Sequence, residues 1–353
     1  MITVNQQGMA KTMLINALSG VHSMYVGPSG MGKSAIFNEV VTRNDFMGII
    51  LHPQVMQRED IAGVPILHDG KLQTEAMDVL DALINPPETD AKRILVLLED
   101  FGNAPLDVQG PFMQLMQGGT IGRHKIDPRI TFTLNTNDKG NFSGVSGVSE
   151  AIKTRGQVYS VRADLMPWVK DFARVKPMNE ILTAFASRHW EDLTTWPERK
   201  PAMTEQIPTP RGIDKFDDTF AYWEDMNEEE QRAQCQGSVG PSMALILHTW
   251  IAEAGKLINV DDVLHDPEGC ELPYKSKRDQ LYMLCVQLAN RAEKATSRAI
   301  MTVANRLAAD SGEFSVFLTD TARATHESVL SDAGTAGIAW IKDHKDFLQE
   351  SAR

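Results

Sequence analysis

The feature that most constrains this chain is a glycine-rich segment that begins at Gly27, ends at Ser34 and follows a short apolar run. The segment matches G-x-x-x-x-G-K-[ST], a loop whose backbone N–H groups surround phosphate groups together with the N-terminus of the following helix. Its lysine places a positive charge on the β- and γ-phosphate oxygens, and its serine hydroxyl is a Mg²⁺ ligand. The pattern therefore predicts a nucleotide-binding loop, whose contacting residues are Gly27, Pro28, Ser29, Gly30, Met31, Gly32, Lys33, Ser34 and Ala35.

Composition argues against several other classes of protein. The 353 residues carry a formal net charge of −12, whereas general nucleic-acid binding needs clustered Lys and Arg. The three cysteines form no CxxC pair and the histidines show no metal-ligand spacing, which favours a reducing compartment without disulfides or structural zinc. No apolar run is long enough to cross a bilayer and the first residues show no signal-peptide pattern. We therefore expect a cytoplasmic protein with no membrane partner.

Two other segments place polar side chains directly after apolar strands. The continuous apolar run at 94–98 is expected of a strand buried on both faces of a parallel sheet, and it ends in Glu99 and Asp100. Two carboxylates at such a strand tip need a cationic partner, such as a Mg²⁺–nucleotide complex, unless the strand simply ends in solvent. A second predicted strand, at 129–137, ends in Asn135 and Asn137. A polar tip there either positions an attacking water or forms an ordinary turn.

The order of predicted elements indicates the fold class. Strands alternate with helices as far as Val161, which predicts an α/β fold with a parallel sheet flanked by helices. Two hairpins are predicted within this region, at 65–74 and at 120–126. From Met166 onward helix follows helix, including one long helix predicted over 277–307. We predict a nucleotide-binding α/β domain at residues 1–164, and a helical lid with a C-terminal helical region at 165–353.

The sequence of motifs resembles that of the AAA+ ATPases, and within them the MoxR-type branch. The glycine-rich segment is similar to the Walker A motif of this family. The stretch LVLLEDFGNAP at 95–105 is similar to the Walker B stretch of the branch. Residues 132–138 resemble the sensor 1 segment, with Asn137 as the better match and Asn135 as the reserve.

Two arginines extend the resemblance. The stretch AIKTRG at 151–156 falls where the family has its arginine finger, on Arg155. The stretch PTPRGID at 208–214 is similar to the sensor 2 motif, with Arg211 as its arginine. The resemblance covers roughly residues 20 to 215 well and the C-terminal helices only vaguely.

The resemblance implies a function and a set of roles. ATP and Mg²⁺ are the implied cofactors, with Ser34 and Glu99 on the metal side and Arg211 contacting the nucleotide. The implied catalytic residues are Asp100, Glu99, Asn137 and Arg155. It further implies a homo-oligomeric ring, a hexamer, in which Arg155 reaches the nucleotide of the neighbouring subunit. One of the two hairpins would face the central pore. The implied client is a partner protein, such as one with a von Willebrand factor A-type domain.

One departure from the family pattern leaves alternatives open. The family usually has Asp-Glu at the end of Walker B, whereas this chain has Glu99-Asp100. Asp100 would then polarise the attacking water from one methylene further back, which would slow hydrolysis. A nucleotide-gated binding module with slow or no hydrolysis is therefore an alternative to an active ATPase. A DNA-directed motor is a third hypothesis, against which the net charge argues.

Overall fold

The computed structural model describes residues 3–138, 147–195, 202, 205–254, 259–273 and 277–345. These residues form two compact units. The first contains the described residues up to Ala163, and the second contains the described residues from Asp164 onward.

The strands of the described residues all lie in the first unit. They are β1 Thr3–Val4, β2 Ser23–Val26, β3 Met47–Leu51, β4 Val64–His68, β5 Lys71–Glu75, β6 Ile94–Leu98, β7 Thr120–Ile121, β8 His124–Lys125, β9 Ile130–Thr136 and β10 Gln157–Val161.

The α-helices of the first unit, within the described ranges, are α1 Gln6–Ser19, α2 Lys33–Arg43, α3 Arg58–Ala62, α4 Asp78–Ile84, α5 Leu106–Gly118 and α6 Glu150–Lys153. Those of the second unit are α7 Leu165–Trp168, α8 Glu180–Arg188, α9 Trp190–Thr194, α10 Pro210–Phe220, α11 Glu228–Val239, α12 Pro241–Ala254, α13 Val260–His265, α14 Arg278–Asn290, α15 Ser297–Asp310, α16 Gly312–Thr325, α17 Val329–Asp332 and α18 Thr335–Asp343. A π-helix, Val169–Ala173, continues α7.

Six parallel strands form the central sheet of the first unit, in the order β1-β10-β2-β9-β6-β3. Successive side chains of a strand point to opposite faces, so each face of the sheet has its own apolar core. On one face, Tyr25 and Leu97 pack with residues of α1 and α2, such as Phe37. On the other face, Leu98 and Leu134 pack with residues of α5. The predicted parallel sheet flanked by helices, followed by a helical region, is confirmed.

Both predicted hairpins are present, and they are joined to each other. The first pairs β4 with β5 around Asp69 and Gly70, whose φ angles of 49° and 73° suit a two-residue turn that matches the twist of the strands. The second pairs β7 with β8. The Arg123 guanidinium, at the tip of the second hairpin, donates hydrogen bonds of 2.6 Å to the side chains of Gln73 and Glu75 in the first hairpin. The hairpins therefore form a connected pair on the first unit.

The single long helix predicted over 277–307 is wrong, because α14 and α15 are separated by a turn. The hydroxyl of Thr296 donates to the carbonyl oxygens of Arg291 and Glu293, and the Ser297 hydroxyl donates to that of Glu293. Such side-chain bonds to the backbone compete with helical bonds. Both helices bury residues in one apolar core with Trp340, so the turn lets them pack against common neighbours. Within the described ranges, no helix is long and apolar enough to cross a membrane.

One histidine joins two elements of the sheet layer and titrates with a perturbed pKa. The Nδ1 atom of His22 accepts a hydrogen bond of 3.0 Å from the backbone N–H of Phe132, so its Nε2–H donates to the carbonyl oxygen of Met116 at 3.0 Å. The bond from Phe132 requires the neutral ring, because a protonated Nδ1 cannot accept a hydrogen bond. Burial lowers the pKa of His22 below its ordinary value, against the raising effect of the Met116 carbonyl.

We predict that this histidine makes the fold sensitive to acid. Below about pH 6.5 the unfolded chain binds a proton on this ring that the folded chain does not bind. The contribution of the neutral His22 to the free energy of unfolding should therefore be complete above that pH. It should be lost as the pH falls toward the pKa of His22 in the folded state. Urea unfolding at pH 7.5, 6 and 5 should show a weaker loss for His22→Asn than for the wild type. His68→Asn, at the exposed hairpin turn, should lose stability as the wild type does. Equal losses in His22→Asn and the wild type would contradict the prediction.

Candidate nucleotide site

The glycine-rich segment forms a loop at the carboxyl end of β2, immediately before α2. Gly30 and Gly32 have φ angles of 78° and 87°, a region that side chains with a Cβ rarely adopt. Gly27 is required for a different reason, because a Cβ there would lie 2.6 Å from the carbonyl oxygen of Val161 in the neighbouring β10. Gly30 and Gly32 therefore allow the curled backbone that the sequence pattern predicts, and Gly27 allows the close approach of β10.

The side chain of Lys33 folds back into this loop. Its ammonium donates to the carbonyl oxygens of Gly27 at 2.9 Å and of Pro28 at 2.8 Å. It also donates to Oδ1 of Asn137 at 3.1 Å. Lys33 is only 7% exposed, and a buried ammonium needs such partners. An anion that enters the loop would compete with neutral carbonyl oxygens for a full positive charge, and a charge-assisted bond is the stronger one.

The first of the two carboxylates at the end of β6 faces the start of α2. The Ser34 hydroxyl donates to Oε1 of Glu99 at 2.7 Å. Mg²⁺ is commonly bound by one or two protein oxygens together with phosphates and waters, rather than by a full protein cage. The described residues contain no group of three or more His, Cys, Asp or Glu suited to a metal ion. Ser34 and Glu99 therefore fit a Mg²⁺ ion whose remaining ligands are phosphate oxygens and water.

The second carboxylate, Asp100, points to a different partner. Oδ1 of Asp100 accepts a hydrogen bond of 3.3 Å from the Asn137 amide nitrogen. Asp100 has a φ of 48°, in the left-handed region that Asp tolerates better than most residues. Asn137 thus connects the Lys33 ammonium to the Asp100 carboxylate. Glu99 and Asp100 are separated into two environments, one beside the serine hydroxyl and the other beside the asparagine amide.

The reserve asparagine, Asn135, lies inside the sheet and not at its tip. Its side chain is fully buried, and neither its amide nitrogen nor its amide oxygen has a hydrogen-bond partner among the described residues. Leaving a buried polar group unpaired costs about 1–3 kcal/mol. Asn137, by contrast, is in contact with both Lys33 and Asp100. The structure therefore places Asn137 in the cluster and leaves Asn135 as an unexplained polar residue beneath it.

Arg155 lies at the amino ends of the strands, whereas the glycine-rich loop lies at their carboxyl ends. It precedes β10, whose first residue Gln157 is in register with Ser23 at the start of β2, whereas the loop follows the end of β2. The length of β2 therefore separates Arg155 from its own loop, about 13 Å along the strand. Its guanidinium donates to the carbonyl oxygen of Ala151 and to the Gln117 side chain, at 2.8 Å in the latter case. The structure does not bring Arg155 together with the other predicted site residues.

Arg211 belongs to the second unit. It is an exposed residue in the first turn of α10, which begins after Thr209. The Thr209 hydroxyl accepts a hydrogen bond of 3.1 Å from the backbone N–H of Gly212 and so caps the helix. Pro210 at the first helical position is typical of a helix start.

Sequence reasoning missed one contact of the site, which is the approach of the Val161 carbonyl to Gly27. No signal in the sequence indicates that β10 lies beside β2, because the two strands are far apart along the chain. The sequence pattern only assigns Gly27 to the glycine-rich loop, whereas the structure requires a glycine there because a Cβ would meet the Val161 carbonyl.

Comparisons with known proteins return structures alone. No protein-family model and no curated protein matches the chain. The matching solved structures include a candidate ATPase from Cytophaga hutchinsonii, with 20% identity and a TM-score of 0.36 over 50% of this chain and 53% of that protein. They also include a lysine-to-arginine mutant of RuvB from Thermotoga maritima, with 12% identity and a TM-score of 0.40 over 80% of this chain and 81% of that one. A further RuvB structure, titled as a Holliday junction branch migration motor, has 11% identity and a TM-score of 0.37, over 79% and 80% of the two chains. The chain spans about half the length of the Cytophaga protein.

We predict opposite effects for two glycine-to-alanine changes in the first unit, measured without nucleotide. Gly27→Ala should lower the free energy of unfolding by about 1–3 kcal/mol, because the methyl group would meet the Val161 carbonyl. Gly118→Ala should raise it by about 0.5 kcal/mol, because it lies in α5 where a Cβ meets only an ordinary contact. Urea denaturation measures both. A Gly27→Ala protein as stable as the wild type would contradict the assigned contact.

Proposed function

We propose that this protein is an ATP-binding and ATP-hydrolysing protein of the AAA+ type, of the MoxR-type branch, that acts as a ring to remodel or mature a partner protein. The observation that carries the proposal is the cluster at the carboxyl ends of β2, β9 and β6. There, Lys33 contacts Asn137, Asn137 contacts Asp100, and Ser34 contacts Glu99. A phosphate loop, a metal-side pair and a second carboxylate are the parts that nucleotide hydrolysis needs.

The residues divide the work of hydrolysis as follows. The Lys33 ammonium exchanges loop carbonyls for phosphate oxygens and stabilises their negative charge. Ser34 and Glu99 would hold a Mg²⁺ ion, which would neutralise charge at the phosphates. Asp100 accepts a proton from the attacking water, and Asn137 fixes the orientation of that carboxylate.

Arg155 is proposed to act on a neighbouring subunit. It precedes β10 at the amino ends of the strands, whereas its own loop lies at their carboxyl ends, which argues against a contact with its own nucleotide. In a ring, an arginine at the amino ends of the strands can contact the nucleotide of the next subunit. To do so it must leave the Gln117 side chain, an exposed hydrogen bond that contributes little to stability. The proposed client is a protein partner, such as one with a von Willebrand factor A-type domain. Arg211, in the helical unit, is proposed to respond to the nucleotide state.

The second candidate function is a nucleotide-gated binding module that hydrolyses slowly or not at all. It is favoured by the residue at 100, because aspartate is one methylene shorter than the glutamate usual at this position in the family that the chain resembles. Asp100→Glu separates the two functions. We expect lower turnover for this variant if Asp100 is already the working base in this geometry, and a large gain in turnover would favour the module instead.

We predict that hydrolysis requires assembly. With Mg²⁺ present, the ATPase rate per protomer should rise with protein concentration and then saturate. Arg155→Ala should lower the plateau by about 10³-fold and leave nucleotide affinity within a few-fold of the wild type, because the arginine acts in trans. Lys153→Ala, at the end of the short helix that precedes Arg155 and paired with Glu150, is the matched control and should behave as the wild type. Turnover of Arg155→Ala equal to that of the control would exclude the arginine from the reaction.

We also predict that Asp100→Asn separates binding from turnover. The amide is nearly isosteric with the carboxylate but cannot accept a proton, so turnover should fall by about 10²-fold or more. Nucleotide affinity, measured by fluorescence of a labelled analogue, should stay within a few-fold of the wild type. Asp107→Asn, an exposed residue in the first turn of α5, should change neither quantity. Full turnover in Asp100→Asn would move the role of base to another residue.

A further inference from the structure

The unpaired amide of Asn135 is the starting point. Asn135 occupies β9, the strand between the loop-bearing β2 and the carboxylate-bearing β6. Its side chain is 0% exposed, and both amide atoms lack hydrogen-bond partners among the described residues. Buried polar groups are nearly always paired in native proteins, so an unpaired one calls for an explanation. A pairing partner that becomes available in another state of the protein is such an explanation.

The register of the sheet identifies the neighbours of Asn135. Tyr25 is its partner on β2. On β6, Leu97 is in register with Thr133 and Leu98 with Leu134, so the next residue along, Glu99, continues beside Asn135. Adjacent strands are about 4.8 Å apart, and residues in register share one face of a parallel sheet. Asn135 therefore lies in a row between Tyr25 and Glu99.

The side chains of this row lie on the face of the sheet that packs against α2. Tyr25 and Leu97 pack with α2 residues, whereas Leu98 and Leu134 belong to the core on the other face. The contact between Ser34 and Glu99 confirms that Glu99 points toward α2. The alternation of β9 then places Asn135 on the same side, below the nucleotide cluster.

The other neighbour in the row is already engaged elsewhere. The Tyr25 hydroxyl is within 3.2 Å of the Thr12 hydroxyl in α1, and its ring stacks on Tyr159 with a centroid distance of 5.2 Å. Glu99 is therefore the remaining polar neighbour in the row, and its carboxylate has capacity for more than one hydrogen bond.

We infer that Asn135 is a positioning residue of the nucleotide site, whose amide N–H donates to the Glu99 carboxylate in the Mg²⁺–nucleotide-bound protein. In the structure, the Ser34 hydroxyl supplies the hydrogen bond to Glu99. That bond uses only part of the acceptor capacity of the carboxylate, and a carboxylate that binds a metal ion is oriented by further hydrogen bonds from residues around it. Asn135 is the buried, unused donor beside it. This inference rests on the proposed function.

The test separates a role in metal binding from a role in folding. Asn135→Leu replaces the amide by an apolar group of similar size, and Asn135→Thr retains a small side chain suited to a strand but removes the amide. The matched control is Thr131→Val, which removes another buried, unpaired polar atom from the same strand and the same face. Thr131 lies four residues, about 13 Å, from Asn135 and has no neighbour in the cluster.

Two quantities are measured on the purified full chain of each variant. The first is the unfolding temperature without nucleotide, which should rise by roughly 3 °C in Asn135→Leu and in Thr131→Val, since each removes an unpaired buried group. The second is the dissociation constant of a labelled non-hydrolysable ATP analogue, with Mg²⁺ and with EDTA. The Mg²⁺-dependent gain in affinity should fall by about 10-fold in both Asn135 variants and stay unchanged in Thr131→Val. Affinity in EDTA should be the same in all four proteins.

The outcomes distinguish the inference from the proposal on which it rests. A wild-type chain that binds no nucleotide overturns the proposed function. A wild-type chain that binds with a Mg²⁺-dependent gain, and Asn135 variants that retain that gain, overturn only the role of Asn135. An unfolding temperature that drops in Asn135→Leu while it rises in Thr131→Val would show that the amide is already paired without nucleotide, which also overturns the role.

Discussion

The candidate site depends on the parallel pairing of β2, β9 and β6. Parallel strands end at the same edge of a sheet, so their three carboxyl ends place the loop, the asparagine tip and the carboxylate pair side by side. The chain passes from β2 through α2 to β3, the outermost strand on that side of the sheet, and β9 and β6 lie between β2 and β3. Crevices of this kind, where connections diverge, are the usual ligand sites of open α/β sheets.

Electrostatics then decides how the side chains of the cluster are arranged. The Lys33 ammonium is nearly fully buried and is neutralised by carbonyl dipoles of its own loop and by the Asn137 amide. Glu99 and Asp100 are adjacent along the chain but use different donors, a hydroxyl and an amide. Each charged group is thus held by groups that a phosphate, a metal ion or a water can replace at modest cost.

The second unit follows simpler physics. Its helices bury apolar faces around two aromatic-rich cores, one near Trp168 and Trp250 and the other near Trp340. Many ion pairs on its surface, such as Arg232 with Glu228, are solvent-exposed and contribute little to stability. The unit also carries Arg211, the one predicted site residue of the chain that lies outside the sheet-bearing unit. Its part in the function is a proposal that depends on the resemblance.

The sequence by itself determined the glycine-rich loop, the alternation of strands and helices, both hairpins and the two polar strand tips. These features are local, because each depends on a short motif or on periodicity within one element. The tertiary structure decided which strands are neighbours, and therefore that Asn137 contacts both Lys33 and Asp100 while Asn135 lies unpaired beside Glu99. It also decided the turn between α14 and α15, which periodicity alone did not predict. Contacts between residues far apart along the chain depend on strand order and register. The local sequence pattern of each element does not specify strand order or register.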